Sequence, residues 1–241
     1  MLAALTTLSI LVASASGLTF GNLSYAVDTD QLGTNSSFSC LQSNGYSTVF
    51  VRVYNTDVGG QTDENGVKNI KAAGRLGLGV EAYVTLRCFS IKNVTVQIDE
   101  AIDNLAKAGI SLRSLWLQVT RPDLWPSANT TVNVNFINAA LQRIRNRGIR
   151  PGVYTNSDDW QLITSGATNI GSDVMLWYWN VSRLGQSGET PANFNDFRAF
   201  GPFKSASVKQ FGQGEDICGF RDANKNVYSK SNNIVVGAIG L

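Results

Sequence analysis

The sequence predicts an α/β fold, an irregular β/α barrel in a single domain, and three observations carry the prediction. Strand-like apolar runs alternate with helix-like stretches, the order that builds a parallel barrel or a doubly wound sheet. The 241 residues hold no internal repeat and no linker that would split them, and a one-domain barrel of this length is ordinary. Beyond Asn180 the helical signal weakens into a Gly-, Ser-, Pro- and Asn-rich stretch, which marks the barrel as irregular rather than regularly eightfold.

The elements follow in order. Residues 23–29 read as a strand and 37–43 as a short helix stopped by Asn44-Gly45. Residues 48–54, rich in β-branched and aromatic side chains, form a second strand, and 67–73 a helix ended by Gly74. A third strand spans 79–86, followed by a helix over 94–108, where Val96, Ala101, Ile102, Leu105 and Ala106 fall near helical spacing. Residues 113–120 form the fourth strand, and 132–147 a helix with basic residues in its last turn, stopped by Gly148. Then come a strand over 151–155, a helix over 158–163, and strands over 174–179 and 207–211. The apolar tail, 233–239, ends the domain or lies across it.

Composition narrows the chemistry. Lys plus Arg number 20 and Asp plus Glu 18, a net charge of +2 with no basic stripe, so nucleic acid is not an expected partner. There is no histidine at all. That removes Ser-His-Asp triads, Cys-His dyads and most zinc sites, and leaves acid-base work to carboxylates, Tyr, Lys or Cys. No cofactor or metal is implied.

Residues 1–17 form an apolar run ending in small residues, with Ala13-Ser14-Ala15 as a cleavage site, and read as a secretory signal peptide ahead of a domain over 18–241. The run is shorter than the ~20 apolar residues a membrane-spanning helix needs, so membrane insertion is not expected. Five Asn-X-Ser/Thr sequons, at Asn22, Asn35, Asn93, Asn129 and Asn180, fit a secreted, extracellular glycoprotein. Cys40, Cys88 and Cys218 leave one thiol over from any single disulfide. A Cys40–Cys218 bridge would tie the ends of the domain together, though the three pairings stay open from sequence.

In a β/α barrel, functional side chains sit at the C-terminal ends of the strands. That rule selects Asp28 and Asp30, Tyr54, Asn55 and Asp57, residues 83–87 and 118–123 (with Tyr83, Gln118, Thr120 and Asp123), Tyr154 and Asn156, residues 177–180 (with Trp177 and Trp179), and Gln210. Aromatic and amide side chains in such a mouth suit a polyhydroxylated ligand, with rings stacking on sugars and amides bonding hydroxyls. Tyr54, Tyr83, Tyr154, Trp177 and Gln210 are the expected substrate contacts, while Trp116, deeper on its strand, is read as interior filling.

These residues carry a resemblance. Tyr-Ala-Val-Asp ending at Asp28 resembles the first strand of glycoside hydrolase family 25, which reads Gly-Val/Ile-Asp-Val-Ser. Cys-Leu-Gln-Ser-Asn-Gly-Tyr from Cys40, followed by Val-Arg-Val-Tyr ending at Tyr54, resembles the next helix and strand of the animal lysozymes of that family. Gly-Val-Tyr-Thr from Gly152, Leu-Trp-Tyr from Leu176 and the segment from Val208 through Cys218 to Asn224 resemble its later strands and closing segment.

The resemblance implies a flattened, irregular barrel and an ancestry in cleaving the β-1,4 bond of bacterial peptidoglycan, with antibacterial defence as the setting and a monomer as the working unit. The family carries Asp-x-Glu at its fourth strand, the Glu as general acid and the Asp assisting attack by the substrate's own acetamido group. The aligned positions here are Gln118 and Thr120. Two further family acids match Asp28 and Asp222, and Asp123 is a candidate substitute acid in the following loop. An amide and an alcohol cannot serve as general acid near neutral pH, so a catalytically impaired, lysozyme-like protein is the expectation. The alternatives are an active muramidase with a relocated carboxylate and a protein-binding scaffold without hydrolysis.

Overall fold

In the computed structural model, residues 23–126 and 129–230 are described, and nine strands among them form one sheet that closes on itself. The strands are β1 (Leu23–Thr29), β2 (Tyr46–Asn55), β3 (Gln61–Thr62), β4 (Gly79–Val84), β5 (Ser114–Gln118), β6 (Arg150–Thr155), β7 (Met175–Trp179), β8 (Val208–Ile217) and β9 (Phe220–Ser229). From β1 through β2, β4, β5, β6 and β7 to β8, neighbours run parallel. β9 lies antiparallel between β8 and β1 and completes the barrel, while the two-residue β3 pairs only with the edge of β2. The irregular α/β barrel expected from the sequence is the fold observed.

Helices α1 (Asn35–Ser43), α2 (Glu64–Arg75), α3 (Val94–Lys107), α4 (Thr130–Asn146) and α5 (Ser157–Thr164) cover the outside. Their starts follow the capping rule: Asp63, Asn93 and Asn156 each accept a backbone N–H of the first turn. Between β7 and β8 there is no α-helix, only a short 3₁₀ turn. That irregular segment is held by Asp196, whose carboxylate accepts from Tyr178 Oη (2.8 Å), Asn180 Nδ2 (2.5 Å) and the buried Lys209 Nζ (2.7 Å).

Side-chain alternation divides the core in two. Outward positions such as Val49, Val51 and Val53 on β2 pack under the helices, while inward positions build an aromatic plug from Phe50, Tyr83, Trp116, Tyr154 and Trp177. Ring centroids of Phe50 and Trp177 lie 4.6 Å apart, and Trp116 meets Trp177 edge-on at 6.0 Å. Gly152 faces Trp116 across the β5–β6 ladder, where an added Cβ would lie 2.3 Å from the indole. The small residue makes room for the large one.

Cys40 and Cys218 form a disulfide that fastens α1 to the β8–β9 turn, and Cys88 is a half-buried free thiol pushed up to about 12 by burial. Asp99 and Asp103 tie α3 to α4 through Arg143 and Arg147. Among the described residues no helix is long and apolar enough to cross a membrane. The signal-peptide reading of 1–17, the sequon at Asn22 and the 233–239 tail lie outside the described residues.

Candidate functional site at the barrel mouth

The C-terminal ends of the parallel strands surround a cavity of about 380 Å³, into which Asp28, Arg52, Tyr83, Gln118, Tyr154 and Asp222 are brought together. Strand parity puts them there: Arg52 stands opposite Tyr83 and Gln118 opposite Tyr154 in neighbouring parallel strands. Asp222 reaches the rim from the β8–β9 hairpin and is exposed, with its backbone at φ 51°.

Asp28 is the buried carboxylate of the cavity. Its Oδ1 accepts from Gln210 Nε2 and Asn226 Nδ2, and its Oδ2 from Asn224 Nδ2, each at 2.7 Å. Burial pushes its pKa up to about 6, against the opposing pull of the three amide donors. The amides are themselves oriented: Tyr154 Oη donates to Gln210 Oε1 at 2.8 Å, Gln213 Nε2 donates to the same oxygen, and Trp177 Nε1 donates to Asn226 Oδ1 at 2.8 Å. Gln210, expected to touch substrate, is wholly buried and acts on the cavity through Asp28.

The end of β5 is neutral. Thr85 Oγ1 donates to Gln118 Oε1 at 2.5 Å, and Gln118 Nε2 donates to Thr120 Oγ1 at 3.0 Å. Trp125 Nε1 caps the segment by donating to the Thr120 carbonyl at 3.0 Å. Asp123, the candidate substitute acid, lies in the next turn and is held in two bonds by Arg121, at 3.0 and 2.9 Å. That pairing lowers its pKa and so favours the ionised carboxylate over the proton-bearing acid.

Two further expectations are corrected. Tyr54 points away from the mouth: the β2–β4 register shifts between Arg52 and Tyr54, and this bulge turns the ring outward. It is wholly buried there and donates to Glu100 Oε2 at 2.7 Å. Trp177 is also wholly buried, one layer too deep to stack on a ligand. Two residues along β7 on the same face, half-buried Trp179 reaches the mouth end and donates to Asp159 Oδ2 at 3.2 Å. Trp116 fills the interior as expected, where it donates to Glu81 Oε2 at 2.9 Å.

Thr85 falls within the run 83–87 at the end of its strand and Asn224 within the closing segment of the resemblance, but neither was given a role, and Asn226 was not singled out from the sequence. Asn224 and Asn226 carry a faint signal, being two amides on one face of a strand, but nothing local says that this strand lies beside β1. Asn35, Asn93, Asn129 and Asn180 are exposed. Asn93 and Asn129 also cap α3 and α4. Among the described residues no group of His, Cys, Asp and Glu could hold a metal ion.

The closed mixed barrel is the fold of solved family 25 lysozymes. The solved bacterial lysozyme from Streptomyces coelicolor matches with a TM-score of 0.67 at 18% identity, over 89% of this chain and 96% of that one. A family GH25 lysozyme from Aspergillus fumigatus matches with a TM-score of 0.63 at 14% identity, over 86% of this chain and 94% of that one. At those identities the likeness is one of fold. The chain belongs to the lysozyme-like protein family: the family described as Lysozyme-like protein 1 matches residues 20–211. Lysozyme-like protein 7 of Caenorhabditis elegans is 46% identical over 208 residues, 86% of this chain and 73% of the relative. Probable GH family 25 lysozyme 2 of Dictyostelium discoideum is 29% identical over 193 residues, 80% of this chain and 85% of that protein.

Proposed function

We propose that this is a secreted, lysozyme-like protein of antibacterial defence that seats peptidoglycan or a related saccharide in the barrel mouth and hydrolyses it poorly or not at all. The observation that carries the reading is the neutral chain Thr85–Gln118–Thr120 at the end of β5, which holds no titratable group. General acid-base catalysis supplies about 10²–10⁴-fold in rate, so a site without its acid retains the groove but loses most of the turnover. The buried carboxylate, the two tyrosines and the Arg52 guanidinium still offer donors and acceptors to a sugar's hydroxyl and acetamido groups. Membership of a lysozyme-like family supports the ligand class, and the exposed sequons support passage through the secretory path.

The test is co-sedimentation with purified peptidoglycan alongside release of reducing ends from it. Binding without release is expected, and Gln118→Asp combined with Thr120→Glu should raise release by orders of magnitude. Clear lysis by the unaltered protein would overturn the reading. A second reading rests on Asp28, whose pKa of about 6 lets it hold a proton in mildly acidic solution. It predicts hydrolysis that favours acid and vanishes in Asp28→Asn.

A further inference from the structure

Four Asn-X-Ser/Thr sequons fall within the described residues, and the topology places all of them at one end of the barrel. Asn35 is the first residue of α1, and Asn93 and Asn129 are the N-caps of α3 and α4. These helices follow the parallel strands β1, β4 and β5, so their N-termini lie at the C-terminal ends of the strands, where the mouth opens. Asn180 follows directly on β7. At the opposite end the exposed Asn44 and Asn146 close α1 and α4, and neither has Ser or Thr two residues on.

The amides at the rim are turned for attachment, which takes place at Nδ2. Asn93 Oδ1 faces its helix, accepting from Val96 N at 2.9 Å and Thr95 Oγ1 at 2.7 Å, and Asn129 Oδ1 accepts from Val132 N at 3.4 Å. With the oxygen directed into the helix, the nitrogen of the same planar amide points out of it and donates to no described residue. Asn35 is exposed and its amide likewise donates to no described residue. Asn180 differs: its Nδ2 already donates to Asp196 Oδ2 at 2.5 Å, in the knot shared with Tyr178 and Lys209. A sugar on that nitrogen would stand against Asp196.

The three free amides border one arc of the mouth. β1, β2, β4 and β5 are successive neighbours in the sheet, and they supply Asp28, Arg52, Tyr83 and Gln118 to the cavity. Glycans are bulky and solvated, so chains on Asn35, Asn93 and Asn129 clash with a large surface approaching that arc and leave a small solute free to enter.

We propose that Asn35, Asn93 and Asn129 carry N-linked glycans that fence this arc, so that the mouth favours short soluble saccharides over intact polymer. In the attachment, Nδ2 bonds to the anomeric carbon of an oligosaccharide carried on a lipid diphosphate. The diphosphate leaves with the bonding pair, and Nδ2 gives up one proton. The inference rests on the secretion and saccharide readings given above and goes past them, because it sets the size of what the mouth admits.

The full chain secreted from a eukaryotic host tests it, with site occupancy read by mass spectrometry of its peptides. Asn35, Asn93 and Asn129 should be occupied and Asn180 bare. The comparison protein is the triple variant Asn35→Ser, Asn93→Ser and Asn129→Ser, because Ser removes the attachment atom and still caps a helix. Enzymatic removal of the glycans from the folded protein, which leaves Asp at each site, gives the same comparison without refolding. Calorimetric titration with a soluble tetrasaccharide of alternating N-acetylglucosamine and N-acetylmuramic acid should give equal affinities with and without glycans. Co-sedimentation with insoluble peptidoglycan should strengthen about tenfold when the glycans are absent, equivalent to ~1.4 kcal/mol. Bare Asn35, Asn93 and Asn129 on the secreted protein would overturn the fence, and a glycan on Asn180 would overturn its selection by amide geometry. Equal co-sedimentation with and without glycans would overturn the fence while leaving the saccharide reading standing. Retention of the chain inside the cells would overturn the secretion reading, and no binding of the tetrasaccharide the saccharide reading, each taking the fence with it.

Discussion

Gln210 Nε2 donates to Asp28 Oδ1 at 2.7 Å across 182 residues of sequence, joining β8 to β1 inside the barrel. Asn226 and Asn224 complete the shell from β9. The carboxylate is therefore stabilised by oriented amide dipoles and destabilised by loss of water, and burial wins.

Stability should fall as pH rises through the acid-to-neutral range. Burial raises Asp28 to about 6 and Glu81, bonded to Ser114 and Trp116, to about 7. Both lie above the ~4 of an unfolded carboxyl, so between these values the folded state binds more protons than the unfolded one. Thermal unfolding at a series of pH values should show the melting temperature dropping from about pH 4.5 to 7.5, and Asp28→Asn or Glu81→Gln should each flatten the slope. Asp123 and Asp173, held low by Arg121 and Arg145, act with the opposite sign at more acidic pH. A flat or rising profile across the window would contradict the burial account.

Trp177→Phe separates a structural tryptophan from a ligand platform. It removes the donor to Asn226 Oδ1, a buried acceptor, and should cost about 1–3 kcal/mol in urea unfolding. Saccharide affinity measured well below the unfolding midpoint should change far less than on Trp179→Ala, because Trp179 is the tryptophan of β7 at the mouth end. The reverse order would put Trp177 in contact with the ligand.

Gly152→Ala should destabilise the barrel by about 1–3 kcal/mol, the usual cost of overpacking a filled core. The added methyl would meet the Trp116 ring at 2.3 Å, with Phe50 and Trp177 packed against that ring's other sides. Chemical denaturation measures the loss, and a neutral effect would show that the aromatic plug has slack.

Cys40→Ser should lower stability by about 2–5 kcal/mol, as removal of a native disulfide does. The bridge spans 178 residues of sequence, so the unfolded chain gains freedom over most of the domain. Comparing oxidised, reduced and substituted protein in denaturant checks this, and the reduced protein should match the variant.

Much of this architecture is legible in the sequence because alternation and helix stops are local signals. The five described α-helices and the strands β1, β2, β4, β5, β6 and β7 lie within a few residues of their expected places, while the two-residue β3 was not expected. Nor was β9, and β8 was read as half its length. Gly212, Gly214 and Asp216 interrupt the apolar rhythm of β8, and the β8–β9 register shifts repeatedly along the hairpin. Asn224 and Asn226 turn amides inward where a strand pattern would place apolar groups.

The site was legible in part for the same reason. Parity along β4, β5 and β6 places Tyr83, Gln118 and Tyr154 in one cavity, and those positions follow from counting by twos. Tyr54 escapes the count because a bulge reverses its face. Trp177 escapes because parity gives the face of a strand but not the depth along it. The amide shell of Asp28 depends on which strand closes the barrel, and that is a long-range fact.

The closure by β9 has a consequence for how the protein is made. β1 pairs with β9 from Leu23 with Ser229 to Asp28 with Asn224, so the first strand waits on one side for a partner some two hundred residues later. During synthesis the growing sheet exposes open edges at β1 and at β8 until β9 emerges between them. Contacts so distant in sequence form slowly and leave strand edges available to other chains meanwhile. The strand that supplies Asn224 and Asn226 to the mouth is thus also the latch of the fold, and the carboxylate shell is assembled only when the latch closes.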